Sequence, residues 1–480
     1  MPCVLQAAAT NESTGGRLAP MAQSQWREML RDERWPVARL IPITSATGVE
    51  ARERNAASAL LAVLSVVDEF GRSLLKPLGA PAGKIEAFVE VPFKLESGHK
   101  VRPDGLIGVS RAGKTWWCLV ECKVADQQLT AEQMEMYLDL ARANSIDAVL
   151  SISNHYATKS TDYPIALDPK KMRRMAIHHW SWVRVLTEAE VQKQYRGVKD
   201  PDQAYILGEL IRYLSDPRSG VVQFNDMGAS WVAVRDGARL HTLRKTDPNV
   251  TAVASRWDDL VQYLVLHLTR DLGRDVRQLL TRQEKTAATR HQALKDALVS
   301  RGQLYAELQI PHTTGPLEIS VDLIARQVTI ATELEAPKEG KSRGRVGWLM
   351  RQMAKAPADA TIEARISRLS TTLAASLGSM REDPSPLLPD ATREIRGFRV
   401  SLTRDLGMNR MAGRGAFIDS VIDAVTLYYR DVLQNLTAWR PSAPKLRTTE
   451  GPIEAETTEI PEAIEEALDQ AEDDMTQPRG

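Results

Sequence analysis

Two carboxylates and one ammonium stand close together in this chain, in an order that can hold a cation beside a group able to carry charge. Asp104 follows Pro103, and Glu121 and Lys123 are separated only by Cys122. Oxygen donors of this kind suit Mg²⁺, which takes a few carboxylates, water and substrate phosphate. An ion held there can activate water and neutralise charge building on a phosphoryl group. Lys123 can position or deprotonate the water, or stabilise the developing charge. An ordinary lysine is protonated at neutral pH, with a pKa of about 10.4. Base work therefore needs a shifted pKa, whereas charge stabilisation does not.

The elements that must bring these groups together are legible around them. Residues 101–123, VRPDGLIGVSRAGKTWWCLVECK, read as two strands joined by the short turn 111–114. Strand alternation points Glu121 and Lys123 to one side and Cys118, Val120 and Cys122 to the other. A long helix over 49–75 precedes the hairpin, with Leu60, Leu64 and Val67 at helical spacing. Thr47 is its candidate N-cap and Glu50 the capping-box partner. A strand over 85–95 and a turn at 96–99 lead into the hairpin. A helix over 130–144 and an apolar, interior, parallel strand over 146–153 follow it. A further strand over 176–186 carries His178, His179, Trp180 and Trp182. His155 reads as a loop residue or phosphate contact.

The order Pro103-Asp104, hairpin, Glu121-Cys122-Lys123 resembles the PD-(D/E)XK nuclease superfamily over residues 45–190. Gln133 and Tyr137 repeat the QxxxY spacing of its RecB-like branch. Residues four apart share a helix face, so Gln133 can lean over the same site. The resemblance implies a restriction-endonuclease-like mixed sheet flanked by helices, a Mg²⁺ or Mn²⁺ cofactor held by Asp104 and Glu121, and catalytic roles for Asp104, Glu121, Lys123 and Gln133. It also implies a further metal-site acid from the first helix. At about 100° per residue Glu53 shares the face of Leu60, Leu64 and Val67, while Glu69 projects nearly opposite. Geometry thus favours Glu53 as that metal ligand, with Glu50 second.

The whole chain bounds this reading. Its 480 residues, 43% hydrophobic and 26% charged, are enough for two or three domains and an ordinary globular core. The divisions expected are an N-terminal extension 1–40, the nuclease-like domain 41–192, a mostly helical α+β region 193–445, and an acidic disordered tail 446–480. The net charge of zero hides a split. Residues 450–480 hold eleven acidic residues and one basic residue, leaving 61 basic against 51 acidic residues elsewhere, a balance of +10. A basic body suits nucleic acid, and the acidic segment is either a solvated tail or a competitor for that surface. No apolar run approaches a membrane span. The N-terminus is a poor signal peptide, and Cys3, Cys118 and Cys122 make no disulfide framework. A cytoplasmic protein is expected.

In the second region, strands are expected at 221–224 and 231–240, the latter crossing an Asp236-Gly237 turn. A long helical region spans 255–283, eased at Gly273, with Arg270, Arg274 and Arg277 on one face as a solvated surface or phosphate contact. Helix follows over 284–299, β structure over 305–310 and 317–334, and helix over 416–436. Residues 337–347, PKEGKSRGRVG, read as a basic loop before a helix at 348–350, either a clasp on nucleic acid or a flexible surface loop. That loop lacks the GxxxxGK[ST] of a phosphate-binding P-loop, which argues against a self-contained ATP-driven motor. No zinc cluster and no internal repeat are found. The function expected is a metal-dependent nuclease acting on nucleic acid, DNA before RNA, in defence against foreign DNA or in repair. The alternative is a non-catalytic nucleic-acid-binding or scaffold protein on the same core.

Overall fold

A two-residue turn generates the central hairpin. Ala112 (φ 48°) and Gly113 (φ 76°) are both left-handed, the conformation that matches the twist of paired strands. The flanking residues therefore pair from Arg111↔Lys114 to Gly105↔Val120. The computed structural model describes residues 37–40, 48–94, 100–157, 163–173, 175–390 and 393–441. Thr47, the turn at 96–99, Cys3 and the acidic segment lie outside these residues.

The first sheet contains β1 (Lys84–Val89), β4 (Gly105–Arg111), β5 (Lys114–Cys122), β6 (Ala148–Ser153) and β7 (Ala176–Ser181). Between β1 and β4, β2 (Phe93–Lys94) and β3 (Lys100–Val101) form a separate ribbon. The sheet order is β1-β4-β5-β6-β7. Its first three strands are antiparallel, whereas β5, β6 and β7 run parallel. The helices are α1 (Gly48–Val66), α2 (Asp68–Leu75), α3 (Ala131–Ala143), α4 (Pro169–Met172) and α5 (Trp182–Val191).

Alternation sends Cys118, Val120 and Cys122 into a core with Leu60 and Leu64 of α1. Leu119 enters the opposite core with Met134 and Leu138 of α3. Each face of the sheet is thus covered by a helix, as a parallel segment requires. Both cysteines are buried and free.

The next region contains α6 (Pro201–Ser215), α7 (Trp231–Arg239), α8 (Pro248–Leu272), β8 (Arg277–Gln278) and α9 (Ala287–Arg301). β9 (Gln303–Gln309), β10 (Leu317–Asp322), β11 (Gln327–Glu335), α10 (Ser342–Gln352), β12 (Thr361–Ile366), β13 (Leu373–Ser376), α11 (Leu377–Glu382), β14 (Ile395–Asp405) and α12 (Phe417–Asp431) complete it. Seven strands form an antiparallel sheet in the order β13-β12-β14-β11-β10-β9-β8. One apolar core, including Trp231, Trp257, Phe398, Phe417 and Tyr428, unites it with its helices. The chain is therefore α/β with two principal sheets, one mixed and one antiparallel. Among the described residues no helix is long and apolar enough to cross a membrane.

Several elements differ from expectation. The 49–75 helix breaks at Val67 (φ −94°, ψ 92°). Gly71 of α2 then passes so close to α1 that a Cβ there would lie 2.3 Å from the Leu64 oxygen. β1 ends at Val89, ahead of Glu90 at positive φ, so 85–95 is not one strand. The 176–186 segment changes from strand to helix at Ser181, whose hydroxyl accepts from Arg184 N at 3.1 Å. Because both stretches are apolar, their composition did not mark the change.

Residues 231–239 are helical, and their buried residues Trp231, Val234, Gly237 and Ala238 fall at three- and four-residue spacing along one face. No strand forms at 221–224. α8 stops at Gly273 (φ 61°), the left-handed cap that glycine supplies. Arg277 consequently enters β8, so Arg270, Arg274 and Arg277 do not share one helix face. The basic loop is shorter than 337–347, since α10 begins at Ser342 and buries Arg345, Val346 and Leu349. In the N-terminal extension, Val37 makes an antiparallel bridge to Phe88.

Candidate active site

The end of β5 is clamped by main-chain bonds before any side chain contributes. Lys123 N donates to Ile152 O at 2.8 Å, and Lys123 O accepts from Trp182 Nε1 at 2.9 Å. Asp104, just ahead of β4, accepts from Cys122 N through Oδ2 at 2.7 Å. Glu121 projects from β5 with its side chain only 3% exposed, and Lys123 Nζ lies 2.8 Å from Glu121 Oε1. The second turn of α1 brings Glu53 to the same ammonium, at 3.5 Å. A long contact of 3.5 Å also joins Val124 N to Glu53 Oε1. Glu50 instead faces outward and pairs with Arg54, leaving Glu53 as the first-helix acid in the cluster.

The helix after the hairpin approaches from the other side of Glu121. Thr130 caps it by accepting from Gln133 N at 3.2 Å, and such a cap stabilises the first turn by about 1 kcal/mol. Gln133 Nε2 then donates to Glu121 Oε1 at 2.7 Å and to Tyr137 OH at 3.4 Å. Asp104, Glu121, Lys123, Gln133 and Glu53 therefore meet at one end of the sheet. This is the carboxyl end of the parallel strands β5 and β6, the end at which open α/β sheets place their ligands.

The cluster is electrostatically uneven. Burial, then the neighbouring charge of Glu121, pushes the Asp104 carboxyl up to about 8, against the opposing Cys122 N–H and Lys123. Burial also raises Glu53, with Lys123 opposing it. Burial pulls Lys123 down, but Glu121 and then Asp104 and Glu53 outweigh it and leave the ammonium raised. Lys123 is consequently held charged at neutral pH. Tyr137 is raised by burial and then by Glu121, and the Cys122 thiol is held protonated by burial and then by Asp104. With all three acids ionised, one ammonium faces three carboxylates.

Asp104, Glu53 and Glu121 present the hard oxygen donors that Mg²⁺ or Mn²⁺ prefers. Asp104 Oδ1 has no hydrogen-bond partner among the described residues. The donor chemistry and the excess negative charge fit a divalent cation. Among the described residues no group of three or more His, Cys, Asp or Glu side chains is already gathered as a metal cluster. Lys123 spans Glu121 and Glu53.

Sequence reasoning did not single out the network beside this cluster. Parallel register aligns Glu121 with Ser151 and Ser151 with His179. Tyr163 OH donates to Ser151 Oγ at 2.7 Å, and Ser151 Oγ lies 2.8 Å from His179 Nδ1. His179 Nε2 is 3.1 Å from His155 O. A carbonyl only accepts, so Nε2 carries the proton and Nδ1 accepts from Ser151. Burial lowers His179 to about 4, so this network is neutral at physiological pH. His155 contributes its carbonyl here, while its ring Nδ1 lies 3.2 Å from Ser153 Oγ. Compared with known proteins, the chain matches no family model, no curated protein and no solved structure.

Proposed function

We propose that this chain is a metal-dependent nuclease that hydrolyses phosphodiester bonds in DNA, in defence or repair, on a restriction-endonuclease-like core. The observation carrying the reading is the convergence on Glu121: Lys123 at 2.8 Å from its own strand end and Gln133 at 2.7 Å from the next helix. Asp104 is pinned to the main chain between them. The mixed five-stranded sheet, with α1 before its hairpin and α3 after it, supports the same assignment.

Asp104 and Glu121, assisted by Glu53, would hold Mg²⁺ or Mn²⁺. When bound, the ion would polarise a phosphoryl oxygen and lower the pKa of its water. The raised ammonium of Lys123 is suited to stabilising charge on the phosphoryl oxygens, because it keeps its proton at the pH where a base must lose one. Gln133 orients Glu121 and offers a polar contact to water or substrate. The preceding proline and the clamped strand end restrict both acids before substrate arrives, as preorganised catalysis requires.

The test is Mg²⁺- and Mn²⁺-dependent cleavage of single-stranded DNA, duplex DNA and RNA by wild type and Glu121→Gln. The variant keeps the shape but removes an anionic ligand, so cleavage should fall by at least about a hundredfold while the fold persists. Cleavage equal to wild type would dismiss this site. A non-catalytic nucleic-acid-binding core is the second reading, favoured by the span of Lys123 across Glu53 and Glu121. Wild type that binds DNA in EDTA but cuts nothing under either metal supports it.

A further inference from the structure

We infer that the surface formed by the start of α10 and the ends of β12 and β14 grips the phosphodiester backbone of a nucleic acid. The inference rests on the nuclease reading for its substrate class and adds a second contact surface. Lys338, Lys341 and Arg343 are exposed on the approach to α10 and its first turn; Arg368 and Arg396 are exposed beside it, and Arg393 is half-buried.

Backbone contacts bring these six cations together. Ala336 N bonds to Arg396 O at 3.0 Å, and Ser367 N bonds to Glu394 O at 2.8 Å. Ser342 Oγ reaches Arg393 O at 3.4 Å. Beneath them, the buried Arg345 guanidinium donates to Ile395 O at 2.7 Å and Lys338 O at 3.3 Å. Arg345 thus ties the approach to α10 to the start of β14, so the surrounding side chains project from a fixed base.

Charge pairing separates this surface from the rest of the same sheet. Arg365 pairs with Glu333 and Glu335, Arg399 with Glu318, and Arg404 with Asp359. None of the six cations forms an ion pair with a described residue. Glu394 is engaged by Arg345 at 3.5 Å, which leaves exposed Glu339 and Asp390 as the local acids not paired with a described residue, two against six cations. Like charges gathered without partners repel one another, and a polyanion relieves that repulsion. Phosphates at regular spacing also match several separate cations, with affinity gained by counterion release.

The experiment measures binding of a fluorescent duplex DNA by the full chain in EDTA, across roughly 50 to 200 mM salt. It compares wild type with Lys338→Gln/Lys341→Gln/Arg343→Gln and with Arg368→Gln/Arg393→Gln/Arg396→Gln. These changes spare Arg345, the carboxylate cluster and every side-chain hydrogen bond named above. Losing three phosphate contacts should lower the salt slope of log affinity by about 2.7 and weaken binding more than tenfold at the low-salt end. An unchanged slope in both variants, with wild type binding DNA, overturns the surface assignment and leaves the nuclease reading standing. The expected slope loss in a chain that cuts no nucleic acid supports the surface and removes the nuclease reading. Failure of wild type to bind duplex DNA at low salt overturns the assignment. So does polyglutamate that displaces DNA as strongly as unlabelled DNA of equal charge, because the occupant would then be an acidic protein segment.

Discussion

Asp104→Asn should make the metal-free protein more stable, and increasingly so as pH rises. In wild type the folded-state carboxyl lies at about 8, raised by burial and by Glu121, against about 3.9 in an unfolded chain. The folded state therefore holds this proton more tightly, and the associated stability is present below about pH 4 and lost on rising through about pH 8. Within that window linkage gives about 1.4 kcal/mol per pH unit. Between about pH 5 and 7, wild type should lose up to about 2.7 kcal/mol relative to Asp104→Asn. This is a ceiling, because the Asp104 shift depends on the neighbouring charges around it. The asparagine oxygen can keep the bond from Cys122 N, so the comparison isolates the ionising group. Urea unfolding in EDTA, followed by tryptophan fluorescence and a second probe, supplies the difference. Mg²⁺ should reverse its direction by stabilising the wild-type carboxylate, with metal affinity rising up to about tenfold per pH unit below pH 8. A stability difference that stays flat between about pH 5 and 8 would refute the electrostatic account of Asp104.

Lys123→Met should cost about 3–5 kcal/mol by leaving Glu121 buried without its cation, less if Glu121 takes up a proton. Cleavage should fall while Mg²⁺ binding persists, measured by urea titration and calorimetry beside the nuclease assay; cleavage at the wild-type rate would contradict the role of Lys123. Gln133→Ala should cost about 1 kcal/mol in stability and lower kcat more than raise KM, since it frees Glu121 without removing a ligand. Equal kcat would assign Gln133 to packing. A chain ending at Glu450 should bind DNA more tightly than the full chain at low salt if the acidic segment competes for the basic body. Equal affinity and equal salt slope would exclude that competition.

The hairpin and the helix carrying Gln133 were legible because local rules governed them. Left-handed Ala112-Gly113 closes the turn, alternation orients Glu121, and Thr130 starts the next helix three residues before Gln133. Glu53 emerged from helical phase, while Glu50 proved to be one half of a surface pair. The contact from Asp104 to Cys122 N depended on how two strand ends meet, which side-chain spacing alone does not specify. Ser151 and His179 were missed for a related reason. Their places beside Glu121 follow from the register of parallel strands, and that register is set through long connections rather than a hairpin turn. In the second region, Trp231, Val234 and Ala238 carried a helical period that a nearby Asp-Gly pair had obscured.

The neutral network beside Glu121 limits how the cluster can balance its charge. Tyr163 donates to Ser151, Ser151 to His179, and His179 to the His155 carbonyl, so every polar atom in the relay has a partner without adding a cation. With His179 lowered to about 4, the relay does not become positive near neutral pH. Lys123 is already shared between Glu121 and Glu53. Excess negative charge must therefore be answered by a proton on Asp104 or by a cation from solution. Those two states compete for the same carboxylate, and on the proposed function a substrate phosphate would add further negative charge beside it. A proton on Asp104 relieves the charge but removes an anionic ligand. On the proposed function, a divalent cation held by Asp104, Glu121 and Glu53 would neutralise these acids, and Asp104 would have to give up its proton to serve as an anionic ligand.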